Sequence, residues 1–291
     1  LVNGTRNYAH PMLDDSIPSD LTVLDTDNDG LTDRLYVGDT GGRLWRADFP
    51  GGQPSAWTMT PIASVGRHNS GSNTLASDRR IFFAPDVVPV RNTGNAQGTD
   101  LVLFGTGDRE DPLNLVTQNS FYVLRDTDLV SGKAAGEIVI TEEASGLPKH
   151  SDFVDTTNGS ALTDVTSLTQ AGYRLGYTRT GEKHFSASVT LGGISTFTSY
   201  VPPDASAAGG RVCAPQEGRS RLYSVATRSG QARGINNSTQ TDRDIALADG
   251  LPGEVNALAG TQQAAGALIY AIPANDKYRA SWRERLGETQ K

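Results

Sequence analysis

The sequence predicts an all-β fold assembled from repeated short-strand units, and three observations carry that prediction. Apolar runs of about 5–7 residues recur between turn residues along most of the 291-residue chain, while helix signals are few. Glycine (32) and proline (14) are plentiful and apolar residues make up only 36%, a balance that suits many strands joined by turns. Four segments also share one pattern, a small residue, then an aliphatic and aromatic pair, then a polar exit. They are "GGRLWRADF" (41–49), "QNSFYVLRD" (118–126), "GRSRLYSVATRSG" (218–230) and "AAGALIYAIPAND" (264–276). Two of the four follow a strand ending in glycine, "LYVGDTGG" and "LVLFGTGD", as the inner hairpin of a propeller blade often does. Blades of about 40–50 residues would allow at most about six, and the long insertions make fewer the expectation. A β-sandwich or barrel is the alternative.

In chain order, the first expected element is a turn within Asp14–Leu24. Eleven strands then follow: "RLYVGD", "RLWRADF", "RIFFAPDVVPV", "DLVLFGTGD", "SFYVLRD", "GEIVIT", "YRLGYT", "HFSASVTLGG", "ISTFTSYVP", "RLYSVAT" and "ALIYAIP". Residues 145–172 read as a long insertion able to hold a short helix, and "YRASWRERLGE" as a short helix or a strand with a tail. Nothing marks a domain boundary, so residues 1–291 are taken as one domain or part of one. With no initiating Met, Leu1 is not expected to be the natural start.

A formal charge of −7 and the lack of a Lys/Arg cluster argue against nucleic acid as a partner. No stretch approaches the roughly 20 apolar residues of a membrane-spanning helix. A single cysteine, Cys213, excludes an intrachain disulfide and a cysteine zinc site, and it reads as a small buried hydrophobe. The four histidines, His10, His68, His150 and His184, lack metal-ligand spacing and are expected on the surface or in loops. Asp108, Glu110 and Asp111 of "GTGDRED" fall in one turn and read as solvated acids rather than a hydrolytic pair. Trp45, Trp57 and Trp282 are expected to pack between blades, and sequons at Asn3, Asn158, Asn236 and Asn237 occur at chance level. No nucleophile elbow, P-loop or dinucleotide fingerprint occurs, so no enzymatic activity is expected.

One short stretch carries most of the chemistry. In "DTDNDGLTD" (25–33), Asp25, Asp27, Asp29 and Asp33 take positions 1, 3, 5 and 9 and Gly30 takes position 6. Like charges this close repel unless water or a cation intervenes. Calcium takes six to eight hard oxygen ligands, and side chains at 1, 3 and 5 of such a loop converge on it. Glycine at 6 permits the turn that brings the next carbonyl, that of Leu31, inward. The expected Ca²⁺ ligands are therefore Asp25, Asp27, Asp29, Asp33 and the Leu31 carbonyl, with Leu31 and Leu35 anchoring the loop. Position 12 is Tyr36 rather than Glu, and the exit is a strand, so this is not an EF-hand. Magnesium, which keeps its waters, fits a four-carboxylate loop less well.

The run "DTDNDGLTDRLYVGDTGGRLWRADF" resembles the calcium loop and following blade of the PilY/PilC family of type IV pilus tip proteins, matching it at Asp25, Asp27, Asp29, Gly30, Asp33, Tyr36, Gly38, Asp39, Gly42, Trp45, Arg46 and Asp48. Further likeness follows in order at "VLFGTGDREDPLN", "NSFYVLRD", "GEKHFSASVTLGGISTFTSYVPP", "VCAPQEGRSRLYSV" and "SWRER". The resemblance implies a modified quinoprotein-like β-propeller from the C-terminal part of such a protein, incomplete if earlier blades precede it. It further implies a role at the pilus tip, on the extracellular bacterial outer surface, with minor pilins and a host or abiotic surface as partners. Pilus biogenesis, twitching motility, adhesion and virulence would be the processes served, with calcium modulating extension against retraction. An Arg-Gly-Asp tripeptide, present in some relatives, is missing here. Two alternatives remain: a structural envelope propeller stapled by calcium, and a quinoprotein-type dehydrogenase.

Overall fold

The computed structural model describes residues 12–50, 56–67, 74–91, 98–127, 129, 149–159, 162–203, 217–233, 242–258 and 268–271. The described residues form sixteen strands and short 3-10 turns, an all-β composition. β1 (Thr22–Leu24), β2 (Arg34–Gly38), β3 (Arg43–Asp48) and β4 (Thr58–Ser64) form an antiparallel meander in that order. β5 (Asp86–Val90), β6 (Thr99–Gly105) and β7 (Ser120–Asp126) continue the same pattern in a second sheet. That sheet is completed by β9 (Gly172–Gly176), beside which β8 (Val154–Asp155) runs parallel. In the third sheet β10 (Lys183–His184), β12 (Ile194–Val201), β13 (Arg219–Ala226) and β14 (Asp244–Asp249) lie side by side, with β11 (Val189–Leu191) also paired to β12. β15 (Val255–Leu258) and β16 (Leu268–Ala271) make a fourth, two-stranded sheet.

The three large sheets stack face to face in chain order, as neighbouring propeller blades do. Alternation along β6 and β7 makes this possible, because successive side chains point to opposite faces. Val102, Phe104, Tyr122 and Leu124 face the first sheet and pack with Tyr36, Leu44, Ala63, Val65 and Ile81. Leu101, Leu103, Phe121 and Val123 face the third sheet and pack with Phe197, Tyr223 and Val225. Phe197 stacks between Phe121 and Tyr223, with ring centroids 4.1 and 5.1 Å away. Both faces of β6 and β7 are thus buried. Each buried aromatic there contributes about 1.5–3 kcal/mol relative to exposure.

The repeated sequence pattern lands on equivalent strands, β3, β7 and β13, each the third strand of its sheet's main path, and on β16 of the fourth. The hairpin it closes pairs the second and third strands of each large sheet's main path. The glycines ending β2 and β6 are contact points between sheets. A Cβ on Gly38 would sit 2.2 Å from Ile81, and one on Gly105 would sit 2.0 Å from the His184 ring. The same two crossing residues donate backbone hydrogen bonds just past those glycines, Ile81 to Asp39 (3.1 Å) and His184 to Thr106 (3.0 Å). "RRIFF" and "EKHFS" therefore do the same job at successive sheet junctions, a repeat that polar and apolar side chains conceal from the sequence.

Several expectations change. The "RIFFAPDVVPV" strand is confined to β5, and the "HFSASVTLGG" run is split between β10 and β11. β1, β4, β8, β14 and β15 were not expected; β4 carries Pro61, which sits opposite Trp45 next to a register shift on an outer strand. Residues 145–172 supply, where described, two 3-10 turns (His150–Asp152 and Val165–Ser167) and β8. No regular element forms within Asp14–Leu24 before β1. "GEIVIT", "YRASWRERLGE", Cys213, Trp282, His10 and His68 lie outside the described residues. No helix among the described residues is long and apolar enough to cross a membrane.

Candidate metal loop and its setting

Residues 25–33 connect β1 to β2, and β1 pairs with β2 on either side of them. The chain leaves Leu24 and returns with Asp33 N donating to the Leu24 carbonyl at 2.9 Å, which ties the loop's two ends together. Asn28 (φ 62°) and Gly30 (φ 87°) both adopt the left-handed conformation that Asn and Gly tolerate best. Those two positions curl the backbone so that its amides point inward. Asn28 N (2.6 Å) and Gly30 N (2.9 Å) donate to the two oxygens of Asp25. Asp29 N donates to Asp27 at 3.1 Å and Leu31 N to Asp29 at 2.7 Å. Amide dipoles thereby offset part of the mutual repulsion of the carboxylates.

The outcome is a convergent set of hard oxygens. Ligand atoms of Asp25, Asp27 and Asp29 all lie within 4.8 Å of one another, on exposed side chains. Asp33 is held differently: its Oδ2 accepts from Thr26 N (2.7 Å) and the Thr26 hydroxyl (2.6 Å). Those two Thr26 bonds keep the Asp33 carboxyl below the usual range. Thr26 thus closes the loop onto Asp33. Leu31 is 61% exposed and does not anchor the loop, whereas Leu35 is half-buried against the outer face of the first sheet. The donor set is all oxygen and mostly carboxylate, and it fits calcium. Asp25, Asp27 and Asp29 would hold such an ion, which would supply fixed positive charge and a cross-link, whereas Asp33, bound to Thr26, is not among the converging oxygens.

Immediately behind the loop lies a buried charged network that the sequence did not reveal. Arg34, next to Asp33, donates to Asp48 (2.8 Å) in its own sheet and to Asp100 (3.0 Å) in the second. Arg46 donates to Asp48 (2.9 Å) and with one nitrogen to both oxygens of Asp126 (2.8 Å each). The Tyr36 hydroxyl donates to Asp126 at 2.9 Å. Burial, with Asp126 and Asp100 close by, pushes the Tyr36 phenol far above its ordinary value. Three carboxylates and two guanidiniums, all below 10% exposed, thus join the first two sheets. Arg46 and Asp48 had been noted only as parts of a resemblance; their pairing needed the register Tyr36↔Arg46 and Arg34↔Asp48.

The remaining candidates are structural. Asp108 is 8% exposed and accepts from Glu110 N (2.8 Å) and Asp111 N (3.2 Å), so it caps its own turn instead of being solvated. Its other oxygen meets Arg80 at 3.1 Å. His184 is core, not surface: it is 2% exposed beside Phe121 and Phe197, and Nδ1 pairs with the Tyr177 hydroxyl at 2.9 Å. Burial pushes its imidazole down to about 3, and His150, paired with the Tyr122 hydroxyl at 2.6 Å, is likewise pushed down to about 3 by burial, Arg79 and Arg174. Lys183 donates to the carbonyls of Pro112 (2.7 Å) and Asn114 (3.0 Å), and burial lowers its ammonium to about 8. Trp45 is fully buried with its indole N–H on Asp39 (2.7 Å), on the face of the first sheet turned away from the second. Trp57 meets Phe49 edge-on at 5.1 Å near the loop. Neither packs between described sheets.

The fold and the loop together define a class: stacked antiparallel blades with an acidic aspartate loop leading into the first central hairpin. Comparison with known proteins narrows it. The chain is 25% identical over 191 residues to a type IV pilus biogenesis factor PilY1 homolog of Xylella fastidiosa (strain Temecula1), an alignment covering 62% of this chain and 12% of that protein. Its fold matches the crystal structure of the Pseudomonas aeruginosa PilY1 C-terminal domain with a TM-score of 0.57 and 16% identity, covering 87% of this chain and 59% of that one. No protein-family model matches the chain. The structural likeness shows the fold, that of a β-propeller domain, and the sequence likeness is to a short part of a much longer protein.

Proposed function

We propose that this chain is the calcium-binding propeller portion of a non-enzymatic, type IV pilus-associated protein that serves pilus biogenesis. The observation that carries the reading is the convergence of Asp25, Asp27 and Asp29 in a chain whose relative is named a pilus biogenesis factor. Calcium held by Asp25, Asp27 and Asp29, with the Leu31 carbonyl, would tie β1 to β2. Because Asp33 adjoins Arg34, the bound ion would also stiffen the network joining the first two sheets. In this reading the protein works at the pilus tip on the cell surface. Minor pilins and the host or abiotic surface are its partners, and calcium biases extension against retraction in twitching and adhesion.

The test is a chromosomal Asp25→Asn/Asp27→Asn pair in the full-length protein, scored for surface pili and twitching zones. The reading expects altered motility while protein level stays at wild type. Wild-type piliation and motility, with calcium binding abolished in the purified variant, would overturn the regulatory role.

A further inference from the structure

A cleft of about 570 Å³ opens between the second and third sheets, bounded by the end of β9, by β13 and by the start of β14. Three segments deliver a guanidinium to it: Arg179 just after β9, Arg221 on β13 and Arg243 just before β14. Arg221 lies two residues from Tyr223 and so shares its face of β13, the face that packs against Leu175 of the second sheet. The register Tyr223↔Asp244 sets Asp244 among the three, where it accepts from Arg221 and, at 3.2 Å, from Arg179. Glu182, buried behind the cleft, takes the other end of Arg179 at 3.2 Å and the Tyr223 hydroxyl at 2.8 Å. Arg179 and Arg221 are therefore answered by carboxylates inside the protein.

Arg243 is not. It donates to the Thr157 carbonyl at 2.9 Å and forms no ion pair with a carboxylate among the described residues. Burial lowers its guanidinium from the ordinary value even with Asp155 in the neighbourhood. A partly desolvated guanidinium that faces a cleft and still has N–H groups to donate is matched by one anion. A carboxylate fits its planar fork through two parallel hydrogen bonds. Asp242 and Asp244 on the same walls disfavour a second negative charge and accept from hydroxyl groups instead. Thr178 and Gln231 add further hydroxyl and carboxamide partners.

We propose that this cleft binds a hydroxylated monocarboxylic acid of the uronic-acid class, its carboxylate on Arg243 and its hydroxyls on Asp242, Asp244, Thr178 and Gln231. The site shares no residue with the acidic loop and stands whether or not that loop holds calcium.

The test is isothermal titration of D-glucuronate into the full chain in EDTA, which prevents the acid from binding through a metal at the loop. One saturable site is expected, and glucose at the same concentration should give none. Arg243→Gln should weaken binding at least tenfold. Arg243→Lys, which keeps the charge but loses the fork, should weaken it at least threefold while melting as wild type does. Asp25→Asn/Asp27→Asn should leave it unchanged. Absence of binding, or binding that neither Arg243 variant weakens, would overturn the proposal. Sulfate competing as strongly as glucuronate would overturn the carboxylate assignment and leave a general anion site. N-acetyl-triglycine bound more tightly than glucuronate would overturn the sugar-acid assignment in favour of a peptide C-terminus. A uronide tetramer held at least as tightly as the monomer would support a polysaccharide end as the source, and one held tenfold more weakly would support a free acid.

Discussion

Replacing Arg46 with Met should be among the most damaging single changes in the first two sheets. Arg46 is 2% exposed and is bound to Asp48 and to both oxygens of Asp126. Methionine fills most of the space but leaves Asp48, Asp100 and Asp126 sharing Arg34 as their remaining buried guanidinium. Removing one partner of a buried ion pair costs about 3–5 kcal/mol, because the abandoned charge keeps its desolvation penalty. In a domain of this size that corresponds to a melting temperature lowered by roughly 6–20 °C. The assay is thermal unfolding by circular dichroism at neutral pH, with Asp126→Leu and the double variant alongside. The double variant should be less harmed than the two single effects added, because each single change strands what the other removes. A single variant melting within about 2 °C of wild type, roughly 1 kcal/mol or less for this size, would refute the network's role in joining the sheets. So would strict additivity in the cycle.

Other expectations follow from the sheet junctions and buried titratable groups. Gly38→Ala forces a methyl into Ile81 and should cost about 1–3 kcal/mol by overpacking; Ile81→Ala in the same chain should cost less than the two changes summed, measured by urea unfolding. His184 and His150 have imidazoles lowered to about 3, so the unfolded chain takes up their protons first as pH falls. Their contribution is therefore complete above about pH 6.5 and is lost towards pH 3, with a slope of up to about 1.4 kcal/mol per pH unit for each. His184→Phe should flatten the acid limb of a pH–stability profile, and an unchanged slope would count against the burial argument. Calcium at 100 times its dissociation constant should stabilise the chain by about 2.7 kcal/mol, a melting rise of roughly 5 °C or more. A rise much larger than that would make the ion a staple rather than a switch.

Much of this architecture was legible because strands with both faces buried read as continuous apolar runs, as "LVLFG" and "SFYVL" do. β4 and β14 were not legible: "TMTPIAS" carries a proline, and "DIALAD" is mostly exposed along its length. The convergence of Asp25, Asp27 and Asp29 was legible because aspartates at alternate positions before a glycine turn fall on the inside of the loop. The loop's closing bond was not, since Thr26 at position 2 has no reason in the spacing to reach Asp33. The buried network was hidden for a different reason. Arg34, Arg46, Asp48, Asp100 and Asp126 are scattered over nearly a hundred residues and read as ordinary surface charges until strand register brings them together. His184 misled in the same way, since only the glycine at 105 makes room for a ring there.

The most direct test of the calcium assignment is isothermal titration of calcium into the metal-stripped chain, beside Asp33→Ala and Asp27→Asn/Asp29→Asn. One site with a dissociation constant of about 10⁻⁷–10⁻⁵ M, the sensor range, is predicted for wild type. It should be abolished by the asparagine pair and weakened by Asp33→Ala. Absence of binding by the wild-type chain, or undiminished binding by the asparagine pair, would contradict the assignment of calcium to this loop.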